Sequence, residues 1–170
     1  MGDVNDSTDK RPQPLSAAEE AVVRALSRVM YALPRAIDLD MRRELQMPLI
    51  DYTALMHLSE ARDRRLRMSE LATACELSLS GMSRLAGHLE SQGLVRRVKS
   101  DKDARIAYAV LTDAGFAQLE EAWPINLASV RRNFVDHLNG IDLAMLAKAF
   151  QKTATPGDAL SEGQTGQTPS

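Results

Sequence analysis

The stretch LSLSGMSRLAGHLESQGL, residues 77–94, has the pattern of an amphipathic helix that is delimited at both ends. Its apolar residues recur at helical spacing and form one stripe, made of Leu79, Met82, Leu85, Ala86 and Leu89. Ser78 precedes the first of them, where an N-cap residue is favoured. Gly93 comes four residues after Leu89, the last residue of the stripe, at a position where a residue in the left-handed conformation often ends a helix. The pattern predicts one well-delimited helix within residues 77–94.

The opposite face of this helix consists of small and polar residues, namely Ser80, Gly81, Ser83, Arg84, Gly87 and His88. Glycine and serine lower helix propensity, so a merely solvated face would instead carry Glu, Lys and Gln. A close approach to another surface would explain the small residues. Arg84 and His88 lie four positions apart and project from the same side. Arginine can pair with guanine, and serine can bind base edges or phosphates. The face is therefore either a DNA-contacting surface or a flexible surface without a ligand.

The residues on both sides of the helix favour the first interpretation, because they resemble a known family. Four fragments follow one another in order: Ser69-Glu70-Leu71-Ala72, then LESQGLV at 89–95, Asp103-Ala104-Arg105, and LTDAG at 111–115. This order resembles the winged helix-turn-helix of the MarR family of transcriptional regulators. The resemblance extends more loosely over residues 17–152. One departure is Ala109, where the family usually has valine, which would thin the packing under the wing.

The resemblance implies a mainly α (α+β) fold, a winged helix-turn-helix with a helical dimerisation region formed by the N- and C-terminal helices. It also implies a homodimer that binds a pseudopalindromic operator in double-stranded DNA, most often as a repressor. A small anionic or phenolic effector would release such a protein from DNA, although a ligand-independent regulator fits the same residues. From a different class, the alternative is a protein-interaction module that uses the winged helix without reading DNA.

The family's Asp-x-Arg element implies a second DNA contact at the wing, through Arg105. A narrow minor groove has a strong negative potential that attracts arginine, and Asp103 can fix the guanidinium by a charge-assisted pair. The other interpretation of this pair is an exposed salt bridge that contributes almost nothing. The complete set of expected DNA-binding residues is Arg67, Ser78, Ser80, Gly81, Ser83, Arg84, His88, Lys99, Lys102, Asp103 and Arg105.

An effector pocket is expected between the dimerisation helices and the DNA-binding lobe, as the resemblance implies. Arg35 or His57 could meet a carboxylate there. The candidate lining residues are Met30, Tyr31, Arg35, Tyr52, Met56, His57 and Trp123. The alternative is that these Met, Tyr and Trp side chains are ordinary core residues.

The chain divides into a predicted folded body and two polar ends. Residues 1–14 and 155–170 have the composition of disordered tails. Between them we predict the N-terminal part of the dimerisation region at 15–48 and the winged helix-turn-helix at 49–112. The C-terminal dimerisation helices follow at 113–154.

Local signals predict where the elements begin and end. Ser16 and Glu19 form a capping box that starts a helix reaching about Leu45, which Pro34 either kinks or splits. We predict a second helix from Pro48 to near Arg62, a basic connection over 62–67, and a short third helix over 70–75 capped by Ser69. Two wing strands are predicted over 94–98 and 104–111. A helix from Asp113 towards residue 138 should face inward with Phe116, Leu119, Trp123 and Leu127, and a last helix should span 141–152.

Composition and charge set further bounds. Residues 62–105 contain ten Lys or Arg and six Asp or Glu, whereas the whole chain has a net charge of -2. A basic patch on an acidic protein fits DNA contact through one surface. We expect a cytoplasmic protein, because no signal peptide is visible and no apolar run approaches the ~20 residues that cross a bilayer.

The chain shows no catalytic arrangement and no phosphate-binding glycine loop, so we expect neither an enzyme nor a cofactor. His57, His88 and His137 are the only histidines, and none has metal-ligand spacing, so no metal site is expected. Cys75 is the single cysteine. It could sense oxidants, but its apolar neighbours favour a small core residue.

Overall fold

The fold is a winged helix-turn-helix framed by longer helices, with mostly helical secondary structure and one small antiparallel sheet. The computed structural model describes residues 13–99, 103 and 106–153. The elements are α1 (Ala17–Leu45), α2 (Leu49–Glu60), β1 (Arg65–Arg67), α3 (Met68–Ala74), α4 (Leu79–Ser91), β2 (Val95–Lys99), β3 (Ala107–Leu111), α5 (Asp113–Asn133) and α6 (Leu143–Thr153). Short 3-10 turns span Arg62–Arg64 and Val135–His137. The expected fold class is confirmed.

The chain forms two compact units, and the boundary between them follows residue 129, within α5. The first contains α1 to β3 and most of α5, and the second contains the end of α5 and α6. The predicted boundaries at residues 48 and 112 separate segments by their expected function, dimerisation or DNA binding, and not by how compactly they pack. These boundaries stay a prediction. In the part of the chain that the structure describes, no helix combines the length and the apolar character needed to span a bilayer.

The first helix begins where its capping box predicts. The backbone N–H of Ser16 donates to Glu19 Oε2 at 2.7 Å, and the N–H of Glu19 donates to Ser16 Oγ at 3.3 Å. The Ser16 N–H, together with the Ser16 hydroxyl that donates to Glu19 Oε2 at 2.8 Å, lowers the pKa of the Glu19 carboxyl below its ordinary value. Pro34 lies inside α1, which continues through it as one helix to Leu45. The sequence had left a kinked helix or two helices open, and the structure has one helix.

The core of the first unit lies between the C-terminal half of α1, α2 and the winged helix-turn-helix. Its largest fully buried side chains include Met41, Leu55, Leu58, Met82 and Leu89. Two predictions for α5 are wrong, because Trp123 and Leu127 are 55% and 45% exposed instead of facing inward. Leu119 of the same helix is buried as predicted.

A three-stranded antiparallel sheet in the order β1-β3-β2 replaces the predicted two-stranded wing. The Arg-Leu-Arg segment of β1 was predicted to be a mere connection, but Arg65, Leu66 and Arg67 pair with Val110, Ala109 and Tyr108. In β2, Val95 pairs with Leu111 and Lys99 pairs with Ala107. The second wing strand, β3, begins at Ala107, and residues 104 and 105 of the predicted strand lie outside the described residues. Ala109 lies in the central strand β3 and is fully buried.

The C-terminal elements differ from the predicted ones at their ends. Helix α5 ends at Asn133, and Gly140 has a left-handed φ of 82° before α6. Helix α6 begins at Leu143, two residues after Ile141, because the side chain of Asp142 accepts the N–H groups of Ala144 and Met145. Helix α3 also begins at a different residue than predicted, because a side chain again accepts a backbone N–H at the start of the helix. Its N-cap is Arg67, whose N–H donates to Glu70 Oε2 at 2.8 Å, so the predicted cap at Ser69 is wrong.

Candidate nucleic-acid interface

Helix α4 has the two boundaries that the sequence predicts. At the start, the N–H of Gly81 donates to the N-cap Ser78 Oγ at 3.1 Å. At the end, Gly93 has a φ of 75°, and its N–H donates to the carbonyl of Glu90. The N–H of Leu94 reaches back to the carbonyl of Leu89 at 3.0 Å, which completes a Schellman motif. The helix is thus fixed in length by its own sequence.

The two faces of α4 differ in burial. Met82, Ala86 and Leu89 are buried, whereas Leu85 is half-buried. Leu79 breaks the predicted stripe, because it is 59% exposed in the first turn. On the opposite side, the exposed residues include Ser80, Ser83 and Arg84. The buried stripe therefore holds the helix so that a row of short polar side chains and one arginine faces solvent.

Three other residues of the predicted DNA-binding face have roles within the protein. Ser78 and Gly81 form the N-cap bond of α4. His88 is about half exposed, and its Nε2 lies 3.5 Å from Oδ2 of Asp51 on α2. Burial is the main cause that raises the pKa of Asp51, and the charges of His88 and Arg42 act against it while Asp38 adds to it. His88 therefore connects α4 to a buried carboxylate on α2.

An ion pair that the sequence reasoning missed joins α4 to the wing. Arg97 donates to Glu90 Oε2 through Nη2 at 2.6 Å and through Nε at 2.7 Å. The N–H of Arg97 donates to Glu90 Oε1 at 3.0 Å. These three bonds lower the pKa of Glu90. The signal was present in the sequence, since Glu90 belongs to the LESQGLV fragment, but its partner seven residues later could not be known without the β2 register.

A concavity of about 330 Å³ lies between the start of α4 and the base of the wing. Arg67, Ser69, Leu79, Ser83 and Arg97 are among the residues that line it. Arg67, which was predicted as a DNA contact from its charge, therefore shares this concavity with Ser83 of α4. The chain thus presents arginine and serine side chains from two elements to one region of solvent.

The wing itself is described only in part. Lys99 is exposed at the end of β2, and the carbonyl of Asp103 accepts the N–H of Ile106 at 2.9 Å. Lys102 and Arg105, two of the predicted DNA contacts, lie outside the described residues. Their roles rest on the sequence.

The predicted effector residues do not share one pocket. Tyr31 and Arg35 line a surface groove of about 700 Å³ whose lining belongs to α1 alone. Arg35 also lines a second groove of about 550 Å³, together with Asp38, Thr53 and Cys75. Tyr52 is buried in the core, and its hydroxyl has no hydrogen-bond partner among the residues that the structure describes. The remaining predicted residues lie elsewhere: Met30 and Trp123 are exposed, and Met56 and His57 are half-buried.

Cys75 follows α3 directly and is buried, as expected for a core residue. Burial raises the pKa of its thiol, which keeps the side chain in its less reactive form. Among the described residues, no three His, Cys, Asp or Glu side chains gather in a way that could hold a metal ion.

Comparison with known proteins identifies the family of this architecture. The family model described as MarR family matches residues 45–106, which include α2, the helix-turn-helix and β2. The transcriptional repressor MprA of Escherichia coli strain K12 is 33% identical over 73 residues. That alignment covers 43% of this chain and 42% of the repressor, so the similarity to this curated relative spans less than half of its length.

Two solved structures match over most of their length. Sco3205, a MarR family transcriptional regulator from Streptomyces coelicolor crystallised in complex with DNA, is 32% identical with a TM-score of 0.77. The match covers 86% of this chain and 91% of that one. AbsC, a MarR family regulator from the same organism, is 35% identical with a TM-score of 0.75, over 84% of this chain and 95% of that one. The chain therefore belongs to the MarR family of transcriptional regulators.

Proposed function

We propose that this regulator is a homodimeric repressor that binds a pseudopalindromic operator in double-stranded DNA through α4 and the wing. The observation that carries the proposal is the exposed row of Ser80, Ser83 and Arg84 over a buried apolar stripe. Short side chains let the helix backbone approach base edges closely, and Arg84 can pair with guanine. The DNA complex of Sco3205 and the repressor name of MprA support the same function.

The proposed dimer rests on apolar side chains that the described chain leaves uncovered. The N-terminal half of α1 exposes Val22, Val23 and Met30, and α6 exposes Leu143, Met145 and Phe150. Each helix thus carries an apolar face, and burying such a face in a two-fold interface is favourable by roughly 25 cal/mol per Å². We propose that both faces pack against a second copy of the chain.

The dimer can be tested with one substitution in each helix. Val22→Glu and Met145→Glu place a charge on residues that are 66% and 71% exposed in one chain, so the fold of the chain should tolerate them. Sedimentation at micromolar concentration should show a dimer for the wild type and a monomer or a weakened dimer for the variants. A stable dimer in both variants would contradict the assignment of these faces.

The proposed effector release rests on the groove that Tyr31 and Arg35 share on α1. Its position on a helix that we assign to dimerisation allows a ligand there to change the spacing of the two recognition helices. Arg35 has no ion-pair partner among the described residues, and it can therefore bind a carboxylate. Salicylate as a probe should weaken operator binding by the wild type and should have less effect on Arg35→Gln.

DNA binding is tested first by selecting fragments of the source genome with the purified protein. On the operator so found, Arg84→Ala should lose about 1–3 kcal/mol of binding free energy and should relax the sequence preference. Arg24→Ala is the matched control, because Arg24 lies on α1, is exposed and pairs with Glu20. Equal losses for Arg84→Ala on the operator and on random DNA would reduce Arg84 to a phosphate contact.

The spacing of the operator tests the dimer geometry on DNA. Two recognition helices related by a two-fold axis enter major grooves on one face of the duplex when the half-site centres lie about 10 base pairs apart or a multiple of that. Inserting about five base pairs between the half-sites turns one of them to the opposite face. Affinity should then fall to the non-specific level. Undiminished binding would show that the two lobes are not held by a shared dimer core.

A further inference from the structure

The wing sheet has an outer face that the proposed function leaves unassigned. Because side chains alternate along a strand, the register places six side chains on the face opposite the buried Ala109 and Leu111: Arg65, Arg67, Arg96, Val98, Tyr108 and Val110. Arg65 and Arg96 both lie next to Val110, and Arg67 and Val98 both lie next to Tyr108. Three of these six positions carry a positive charge and none carries a carboxylate. The outer face is therefore a basic surface around one tyrosine.

Two of these arginines converge on Tyr108. The guanidinium carbon of Arg65 lies 3.9 Å from the centroid of the Tyr108 ring. Hydrogen bonds from Arg65 and then from Arg67 lower the pKa of the Tyr108 hydroxyl, as expected where positive charge surrounds an oxygen. The stacked ring orients the guanidinium of Arg65, so less conformational freedom remains to be lost when it binds an anion.

This positive charge is poorly balanced within the protein. Among the described residues, the carboxylate within ion-pair distance of Arg67 is that of Glu70, whose Oε1 lies 3.9 Å from the Arg67 Nε. The other oxygen of Glu70 already accepts the backbone N–H of Arg67 at the start of α3. Arg65 and Arg96 have no carboxylate within ion-pair distance among the residues that the structure describes. Like charges held together in this way favour binding of an external anion.

The position of the cluster indicates which anion it meets. Arg67 also lines the concavity that contains Ser83 of the recognition helix. The cluster therefore begins at the edge of the proposed DNA interface and extends away from it across the sheet. A duplex that continues past the half-site would bring its backbone phosphates to this edge, and the planar guanidinium matches a phosphate in geometry.

We propose that Arg65, Arg67 and Tyr108 hold a backbone phosphate of the DNA that flanks each half-site. The inference rests on the proposed function and extends it, because it assigns a contact outside the bases that α4 reads. Such a contact adds affinity without adding sequence preference. It also lengthens the duplex that is needed for full affinity.

The test compares variants on a long and a short duplex. The long duplex carries about ten base pairs beyond each half-site, and the short one ends at the half-sites. Arg65→Gln should weaken binding to the long duplex about tenfold and should make the salt dependence less steep by about one counterion per subunit. On the short duplex, Arg65→Gln and the wild type should bind alike. Arg65→Lys, which keeps the charge, should recover part of the loss.

Two controls keep the result specific. Tyr108→Phe keeps a ring beneath Arg65 and removes only the hydroxyl, so its loss on the long duplex should be smaller. Arg24→Gln removes an exposed arginine of α1 that is ion-paired with Glu20, and its affinity for both duplexes should equal that of the wild type. Thermal melting followed by circular dichroism establishes that each variant is folded.

The possible outcomes are distinct. If Arg65→Gln binds the long duplex with the same affinity and salt dependence as the wild type, the proposal is overturned. If it loses the same affinity on both duplexes, the contact does not lie in the flanking DNA. Wild-type protein that selects no DNA at all would refute the proposed function instead, and this inference with it. Binding of polyglutamate by the wild type but not by Arg65→Gln, with DNA binding unchanged, would assign the face to an acidic protein and refute the phosphate.

Discussion

Gly115 in the first turn of α5 has no room for a side chain, and replacing it tests how the wing is joined to that helix. A Cβ at this position would lie 2.1 Å from the carbonyl oxygen of Leu94 and 2.7 Å from Cδ1 of Leu111. Real Cβ contacts are essentially never shorter than 3.0 Å, so the backbone at Leu94 would have to move by roughly 1 Å. The clash is with backbone, which cannot rotate away as a flexible side chain can.

The Leu94 carbonyl is also held in place. It accepts the N–H of Thr112 at 3.1 Å and the Thr112 hydroxyl at 3.0 Å, and the N–H of Gly115 itself donates to that hydroxyl oxygen. Moving the carbonyl therefore strains a bonded junction at which β2, β3 and α5 meet. Overpacking costs about 1–3 kcal/mol and occasionally more, and each weakened hydrogen bond adds about 1 kcal/mol. Alanine recovers about 0.8–1.0 kcal/mol of helix propensity.

The expected net effect of Gly115→Ala is a loss of about 2–4 kcal/mol in the free energy of unfolding. Urea denaturation followed by circular dichroism measures it as a lower midpoint at constant slope. Gly87→Ala is the matched control, because a Cβ there would meet nothing within 4 Å and the residue lies in a helix. That variant should be as stable as the wild type or up to about 1 kcal/mol more stable. Wild-type stability of Gly115→Ala would refute the reasoning about this junction.

Three further predictions concern the parts that hold the recognition helix. Ser78→Ala removes the N-cap acceptor of α4 and should lower the free energy of unfolding, measured by urea denaturation, by about 1 kcal/mol. As a control, Ser91→Ala removes an exposed hydroxyl near the other end of α4 and should change that free energy by no more than about 0.5 kcal/mol. The pKa of Asp51 is raised in the folded protein, so its contribution to the free energy of unfolding is greatest below the ordinary pKa of 3.8 and is lost as the pH rises through the higher folded value. Over that pH range, the stability of Asp51→Asn should therefore increase relative to that of the wild type. A constant difference in stability between pH 3 and pH 7 would contradict this sign. Glu90→Gln should weaken operator binding although it removes a negative charge, because Arg97 loses its anchor, and tighter binding would show that net charge dominates.

Local signals predicted the parts of the fold that local chemistry determines. The capping box at Ser16 and the two ends of α4 are formed by residues within a few positions of one another, and the sequence placed them correctly. The cap of α3 was misplaced by two residues. Serine is the commoner N-cap, but at this site the side chain of Glu70, three residues into the motif, reaches back and accepts the N–H of Arg67, which makes Arg67 the N-cap residue.

Pairings between distant residues could not be predicted in the same way. The Arg-Leu-Arg segment of β1 has no strand pattern of its own, and it becomes a strand because β3 offers an edge to it more than forty residues later. Trp123 and Leu127 follow the helical spacing of Leu119, yet they are exposed, because periodicity identifies an apolar face without identifying what covers it. His88 looked like a DNA contact because its neighbours on the helix face are polar, whereas its nearest acidic partner comes from α2.

The acidic residues of the basic region change how its charge should be interpreted. Counting charges over residues 62–105 treats every carboxylate as opposing DNA. Glu90, however, holds Arg97 and the wing against the end of α4, and Glu70 accepts the backbone N–H that begins α3. Asp51, just outside that region, holds His88 from beneath. Since these carboxylates are bound to the elements that position α4, they fix the recognition helix while the exposed arginines face solvent. Specificity depends on how firmly the helix is held as well as on which bases it reaches. Under the proposed function, we therefore expect these acidic residues to favour operator recognition even though they lower the net positive charge.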